Sequence, residues 1–303
     1  MLYCGGADFA TVRPPSRKRT APATASDPGR PLTRIIALAN QKGGVGKTTT
    51  AVNLGGALAR EGKQVLIVDM DPQGNASSGL GVVDRDNVPT VYDVLVRGLP
   101  AFRAIHRPEG YATLSLVPAN RDLVGAEVEL VGVQDRETLL RESLAPVAED
   151  YRYILIDCPP SLGLLTLNTL AAADSVLIPI QCEYYALEGL SQLLNTIRLV
   201  QRGLNPGLEI EGVLLTMFDQ RLSLSRQVAT EAKRYFGRSV FETVIPRNVS
   251  IAEAPGFGLS VADYSPTSIG ARRYAALARE VLSRTGPQAR DGTGPPPPRK
   301  PTP

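Results

Sequence analysis

The chain predicts a doubly wound α/β fold, with a mostly parallel sheet and helices on both of its faces. Two observations predict it. Apolar runs of strand length alternate with segments of helical period along most of the 303 residues, the pattern expected of strands buried on both faces of a parallel sheet. In addition, the first such run, Ile35-Ile36-Ala37-Leu38-Ala39, leads through the glycine-rich string Asn40-Gln41-Lys42-Gly43-Gly44-Val45-Gly46-Lys47-Thr48-Thr49-Thr50 into a helical pattern. Strand, glycine-rich turn and helix make the setting of a phosphate-binding loop.

Taken in order, strands are expected at 34–39, 64–69, 114–118, 153–157, 175–180, 211–216 and 240–245. Helices are expected at 48–61, 90–97, 121–131, 135–148, 162–172, 186–203, 224–236 and 268–284. In the first helix Val52, Leu54, Ala57 and Leu58 form the face that covers the sheet. Arg60, Glu61 and Lys63 lie at its wet end, and Gly62 is placed for a left-handed cap. No internal repeat and no second domain boundary is visible, so residues 34–285 read as one domain.

The flanks differ in composition. Residues 1–33 are rich in Pro, Ala, Thr, Ser and Arg without period, and read as a disordered, mildly basic tail in which Arg13, Arg17, Lys18 and Arg19 are candidate phosphate contacts. Residues 286–303 end in Pro295-Pro296-Pro297-Pro298 and read as a second extended tail. The net charge of +3 is carried by these ends, +3 in residues 1–33 and +2 in 286–303, which leaves −2 on the body. Nucleic-acid binding by the body therefore requires a local basic patch.

No apolar run approaches the roughly 20 residues that span a bilayer, and Met1 to Ala10 lack the basic start and apolar core of a signal peptide. Three scattered cysteines, Cys4, Cys158 and Cys182, make no disulfide framework, and a reducing cytoplasm is the expected setting. The single histidine, His106, lies in a polar stretch and is expected on the surface.

The chemistry follows from the loop and two strand ends. Glycines let successive N–H groups turn inward on phosphate oxygens, and the following helix adds partial positive charge. Lys47 is placed for the β- and γ-phosphates and the Thr48 hydroxyl for Mg²⁺. The strand Val65-Leu66-Ile67-Val68-Asp69 continues as Met70-Asp71-Pro72-Gln73-Gly74-Asn75. Asp71, just past the strand, is the candidate for orienting the attacking water, with Asp69 supporting the loop and the metal. Ile154-Leu155-Ile156-Asp157 repeats the pattern, with Asp157 as a water-mediated Mg²⁺ ligand and Pro159-Pro160 as a stiff turn that registers the γ-phosphate.

The loop departs from the ordinary pattern. Gln41 stands where a glycine is usual, and Lys42 is an extra lysine. Lys42-Gly43-Gly44-Val45-Gly46-Lys47-Thr48-Thr49, Asp69-Met70-Asp71-Pro72-Gln73-Gly74-Asn75 and Asp157-Cys158-Pro159-Pro160 together resemble the chromosomal ParA proteins of the Soj type, within the deviant Walker A, ParA/MinD group of P-loop ATPases. Gly212-Val213-Leu214-Leu215-Thr216-Met217-Phe218-Asp219, Val244-Ile245-Pro246-Arg247-Asn248-Val249 and Glu253-Ala254-Pro255 agree, so the resemblance spans about residues 33–284.

The resemblance implies an ATPase using ATP/ADP and Mg²⁺. It implies a homodimer formed face to face on ATP, non-specific binding to double-stranded DNA by that dimer, and resetting by a ParB-type partner that stimulates hydrolysis. The output is segregation of chromosomes or plasmids in a cytoplasmic, nucleoid-associated setting without a membrane. It makes Lys42 the signature lysine that reaches the partner's nucleotide, and Gly43 the close-contact glycine of the dimer. Gly44, Val45, Gly46, Lys47, Thr48 and Thr49 become phosphate and metal contacts and Asp71 the catalytic carboxylate. Asp219, Pro246 and Asn248 fall near the adenine base. Arg221 matches a DNA-contacting arginine; Arg226, Lys233, Arg234, Arg247, Arg272 and Arg273 are further basic candidates. Ser250 stands where relatives carry a second DNA-contacting arginine.

Two other readings are a MinD-like membrane-associated regulator of cell division and a metal-cluster electron carrier. The first lacks a bulky apolar face after Leu282, and the second lacks a Cys-x-x-Cys motif.

Overall fold

A computed structural model describes residues 33–82, 88–183 and 190–284. The strands are β1 (Arg34–Leu38), β2 (Val65–Asp69), β3 (Leu114–Val117), β4 (Tyr153–Asp157), β5 (Ser175–Gln181) and β6 (Glu209–Thr216). All pair in parallel, in the order β3-β2-β4-β1-β5-β6. The helices are α1 (Lys47–Arg60), α2 (Asn75–Gly79), α3 (Val91–Leu95), α4 (Leu123–Glu129), α5 (Leu139–Ala148), α6 (Leu164–Ala172), α7 (Leu190–Gly203), α8 (Ser223–Phe236), α9 (Val249–Glu253), α10 (Val261–Tyr264) and α11 (Ile269–Arg284).

Alternation along the strands divides the core. Ile36 and Leu38 of β1 pack with α1 and α11 on one face, where Leu54, Leu58, Tyr274 and Leu277 are buried. Ala37 and Ala39, one residue out of phase, face the other side with Leu193 and Ile197 of α7. This is the period-2 rule applied to a sheet covered twice. Toward the β3 edge, Leu66, Val68, Ile154 and Ile156 pack with α3, α4 and α5.

Helix α1 ends as expected: Gly62 is left-handed, with φ 72°, and the Lys63 N–H donates to Leu58 at 3.1 Å. Its Gly55 is a close-approach glycine, since a Cβ there would lie 2.8 Å from Ile67 Cδ1. A mid-helix glycine costs about 1 kcal/mol against alanine, and here that cost accompanies tight seating of α1 on β2.

Several expectations are corrected. Residues 240–245 do not form a seventh strand. Val240 makes an isolated bridge to Val213, and the Phe241 and Ile245 N–H groups donate to Val213 O and Leu215 O of β6, both at 2.9 Å. Between them the Glu242 and Thr243 N–H groups donate to the two carboxylate oxygens of Glu280, at 2.9 and 3.0 Å. A side chain of α11 thus takes the Thr243 donor that would have continued the ladder. The segment 186–189, expected to begin α7, lies outside the described residues, as do 1–32 and 285–303. Thr33, which composition grouped with the tail, is tied down: its hydroxyl donates to Ala148 O (2.7 Å) and Tyr151 O (2.9 Å). His106 is half-buried rather than a free surface residue. It forms an antiparallel bridge with Leu116, and its Nε2 lies 3.2 Å from Pro89 O.

Burial acts to raise the Glu280 pKa, but the two N–H donors and Arg284 outweigh it and hold the carboxyl below its usual range. Glu280→Ala is expected to lower stability by about 1–3 kcal/mol, since two backbone donors lose a charged acceptor. The urea midpoint of the variant checks this. Because the folded-state pKa is depressed, the contribution is present above the ordinary glutamate pKa and fades as pH falls through the folded value.

Candidate functional site

The site lies at the carboxyl ends of β1, β2, β4 and β6, where parallel α/β sheets bind ligands. Between β1 and α1 the chain turns through Gly44 and Gly46, both left-handed with φ 73° and 89°. Gly46 is the residue before α1 and provides no side-chain cap. The first N–H groups of this 14-residue helix therefore face the loop's interior with the positive end of the helix dipole behind them.

The loop is held from outside as well. Asn40 donates to Pro179 O at 2.7 Å and accepts from the Lys42 N–H at 3.0 Å, tying the loop's start to β5. The Thr216 hydroxyl, at the end of β6, donates to Val45 O at 2.8 Å. The sequence reading includes both residues in its motif strings but gives neither a role. Asn40 opens the loop string and was a legible candidate; Thr216 is 171 positions away from its partner, and nothing local links the two.

Lys47 is 6% exposed, and its Nζ donates to Lys42 O at 3.3 Å. Burial pushes its pKa down, while Asp157 and Asp71 oppose that shift. Lys42, on the rim, forms an ion pair with Glu183 in the same chain. Gly43 and Gly44 are exposed, and Val45 is buried.

The aspartates are brought together by strand register. Asp69 and Asp157 are direct partners across β2 and β4, and both are fully buried. Asp69 accepts from the Ser77 N–H (2.9 Å), the Ser77 hydroxyl (2.7 Å) and the Asp71 N–H (3.1 Å). Burial pushes its pKa up to about 6, with the Ser77 donors acting against the rise. Its lone pairs are thus engaged in shaping the turn into α2, which favours the loop-supporting role over metal ligation. Asp71 sits just beyond, 8% exposed. Its Oδ1 accepts from the Gln73 N–H at 3.0 Å.

Asp157 differs. Both its carboxylate oxygens are buried, and no donor meets them in full hydrogen-bond geometry, the Thr48 side chain being the group that approaches them. Burial, then the Asp69 charge, push its pKa well up, opposed by the Thr48 side chain and Lys47. A buried acceptor pair without donors is costly unless something positive answers it, and the Thr48 hydroxyl beside it supplies a neutral oxygen. This donor set fits Mg²⁺, which takes one or two protein oxygens and completes its shell from phosphate and water. Among the described residues no three His, Cys, Asp or Glu side chains converge as a protein-only metal cage. Cys158 is buried, with its thiol pushed up to about 12 by burial, an unreactive state.

The distal residues form a second group. Phe218 bridges Pro246, and its N–H donates to Ile245 O at 3.0 Å, which brings the Asp219 and Pro246–Asn248 segments together. Met217, just before, has φ 50°, a strained value for a non-glycine residue. Asn248 Oδ1 is buried without a partner. Asp219 is clasped by Arg221: the guanidinium donates at 3.0 and 2.8 Å and the backbone N–H at 3.0 Å. These bonds hold the Asp219 carboxyl down at about 2. Of the other basic candidates, Arg226 donates to Gln220 O at 2.7 Å, Lys233 pairs with Glu242 at 3.3 Å, and Arg247 is exposed.

Residues 33–210 match a family model described as an AAA domain. The chain is 56% identical over 256 residues to "Chromosome partitioning protein ParA" of Myxococcus xanthus, spanning 84% of this chain and 90% of that protein. It is 57% identical over 250 residues to "Sporulation initiation inhibitor protein Soj" of Bacillus subtilis, spanning 82% and 98%. Among solved structures it resembles a cobyrinic acid a,c-diamide synthase from Mycobacterium smegmatis with bound ADP and magnesium. That match has a TM-score of 0.74 and 39% identity, and covers 88% of this chain and 98% of that one.

Proposed function

The chain belongs to the ParA/Soj family of chromosome-partitioning ATPases, and on that premise we propose that ATP binding and hydrolysis at the Lys42–Thr49 loop switch residues 34–285 between a monomer and a DNA-binding homodimer. The observation that carries this reading is the juxtaposition of a glycine-turned loop at the start of α1 with two unpartnered, buried Asp157 oxygens. One part is built for phosphate, the other for the cation that accompanies it.

In this reading the loop N–H groups and Lys47 cradle the phosphates, with Val45 and Gly46 held in place by Thr216. Thr48, and Asp157 through water, would hold Mg²⁺, which when bound neutralises charge on the β- and γ-phosphates. Thr49 completes the phosphate contacts. Asp71 orients the attacking water with the oxygen that Gln73 does not occupy. Asp69 keeps Asp71 in register by accepting its N–H. Asp219, Pro246 and Asn248 flank the adenine base.

Lys42 is the group that crosses to a second subunit's nucleotide, with Gly43 allowing the close approach. In the monomer it is neutralised by Glu183, so dimer formation exchanges one carboxylate partner for phosphate. A ParB-type partner stimulates hydrolysis and returns the protein to the monomer. The setting of this cycle is the cytoplasm, at the nucleoid.

DNA is gripped through its phosphates, without base readout, by Arg221 and Arg247. Arg221→Glu is expected to lower DNA retention several-fold at low salt, and to reduce the slope of affinity against salt by about one. Unstimulated hydrolysis should remain unchanged. Undiminished retention would show that the patch lies elsewhere.

A membrane-docking regulator is disfavoured by α11. Its apolar face, Ala271, Tyr274, Leu277, Ala278 and Val281, is buried in the core, and Ile269 at its start is the one large apolar side chain of the helix that is exposed. No helix among the described residues is long and apolar enough to cross a membrane. Co-sedimentation with ATP separates the two readings: retention on DNA but not on liposomes is expected, and the reverse would overturn the proposal.

A further inference from the structure

Helix α2 carries a buried serine whose hydroxyl both donates and accepts. Ser77 is 3% exposed. Its hydroxyl and its N–H donate to the same oxygen, Asp69 Oδ2, at 2.7 and 2.9 Å. Its Oγ in turn accepts from the Ala119 N–H at 3.0 Å. The end of β2, helix α2 and the turn that follows β3 therefore meet on one side chain, across 42 positions of sequence.

The consequence is felt at Asp71. Asp69 is fully buried, so its carboxylate depends on donors from the protein. Ser77 answers Oδ2, and the Asp71 N–H answers Oδ1 at 3.1 Å. A carboxylate is planar, so fixing one oxygen fixes where the other lies, and with it the main chain of Asp71. The strand end of this turn is held separately, by the Met70 N–H on Asp157 O at 3.0 Å. Its far end closes through the Gly74 N–H on Asp71 O at 2.9 Å. Gly74 is left-handed, with φ 62°, and a Cβ there would lie 3.1 Å from Ala119 O. Asp71 thus rides on a turn pinned at both ends, and the hydroxyl that joins the far pin to β3 belongs to Ser77.

We propose that Ser77 is a positioning residue for hydrolysis: its hydroxyl, braced by Ala119, orients the Asp69 carboxylate, and Asp69 holds Asp71 on the attacking water. The proposal rests on the reading of Asp71 as the water-orienting group and adds the residue through which that group is aimed. Gln73 already occupies one Asp71 oxygen, so the other must be aimed by the backbone that carries it. A misplacement of about 1 Å costs roughly 100-fold in rate. Ser77→Ala keeps the N–H bond to Asp69 but deletes the hydroxyl, leaves the Ala119 N–H without its acceptor, and lets the turn shift. The loop and Lys47, which cradle the phosphates, are untouched.

The test is single-turnover hydrolysis of pre-bound ATP with Mg²⁺ by the full chain. It compares the wild type, Ser77→Ala, Asp71→Ala and the double variant, each with its ATP affinity and thermal melt. Ser77→Ala should slow the step about tenfold or more with ATP affinity unchanged. The double variant should be no slower than Asp71→Ala alone, because a residue that acts through Asp71 has nothing left to aim. Should Ser77→Ala not fold, Ser77→Cys takes its place, with a much weaker donor on the same backbone and the same expected slowing. Wild-type turnover by the folded Ser77 variant, beside a slow Asp71→Ala, would overturn this inference alone. Additive losses in the double variant would overturn it too, by giving Ser77 a role apart from Asp71. A fall in ATP affinity that matches the fall in rate would make Ser77 a structural residue of the site and nothing more. Fast turnover by Asp71→Ala would instead remove the reading of Asp71 on which the proposal stands.

Discussion

Lys47→Ala is expected to remove ATP binding almost entirely. The ammonium is buried, its pKa is lowered by that burial, and it sits at the mouth of the helix whose N–H groups are free for phosphate. A unit charge pair near 4 Å is worth about 4 kcal/mol at the effective dielectric of a protein surface. Losing it corresponds to a weakening of more than 100-fold. The fold should survive, because alanine relieves a desolvated charge and leaves the main-chain loop tied through Asn40 and Thr216. Titration with a fluorescent ATP analogue, next to a thermal melt, checks both statements. Affinity near wild type in a folded variant would remove Lys47 from the phosphate site.

Asp71→Ala should separate binding from turnover. Loss of a positioned base or water-orienting group costs roughly 10²–10⁴-fold in rate, whereas the phosphate cradle does not include residue 71. The turn should hold its shape, because its main-chain anchor is the Asp71 N–H to Asp69, which alanine keeps; only the Gln73 N–H loses a partner. ATP should therefore bind and persist, and gel filtration with ATP should show a dimer that ADP does not produce. Rapid turnover by this variant would refute the assignment. A monomer with ATP bound would instead break the link between nucleotide and dimerisation.

These two variants probe residues of different visibility. Lys47 was legible because all its determinants are local: strand, glycines, lysine and helix start within some fifteen residues. Asp71 was legible as a carboxylate just past a strand. The distinction between Asp69 and Asp157 was not. Both end apolar strands, yet Ser77 satisfies one fully, while only the Thr48 side chain approaches the other. That difference depends on where α2 begins, a five-residue helix too short to leave a periodic signal. The Asp219–Arg221 clasp was open to a reading of i and i+2 neighbours, but the separate roles given to the two residues concealed it. The clasp makes them one unit: in the proposed DNA-bound state, phosphate would compete with a carboxylate for the same guanidinium.

The lost strand at 240–245 has a similar origin. Its apolar composition suits a strand, but whether a segment pairs is settled by competition for its N–H groups. Phe241 and Ile245 keep theirs on β6, but Glu280, far along the chain, takes that of Thr243 between them. The same holds for Lys42, whose neutralising partner Glu183 is set by the reach of β5 alongside β1.

What the sequence by itself determined is everything that depends on short-range periodicity and backbone permission. It specifies the six strands that form, together with a seventh at 240–245 that does not, the long helices, the left-handed glycine at 62, the flexible glycines of the loop, and the placement of lysine and threonine at a helix start. What only the tertiary structure decided is which polar groups are answered and which are left almost bare: Asp69 by Ser77, Lys42 by Glu183, Asp219 by Arg221, and Asp157 by little more than the Thr48 side chain. The physical reason is that period and turn chemistry are properties of neighbours in the chain. Hydrogen-bond satisfaction and surface coverage are properties of neighbours in space, fixed only once the strand order β3-β2-β4-β1-β5-β6 has brought distant segments together.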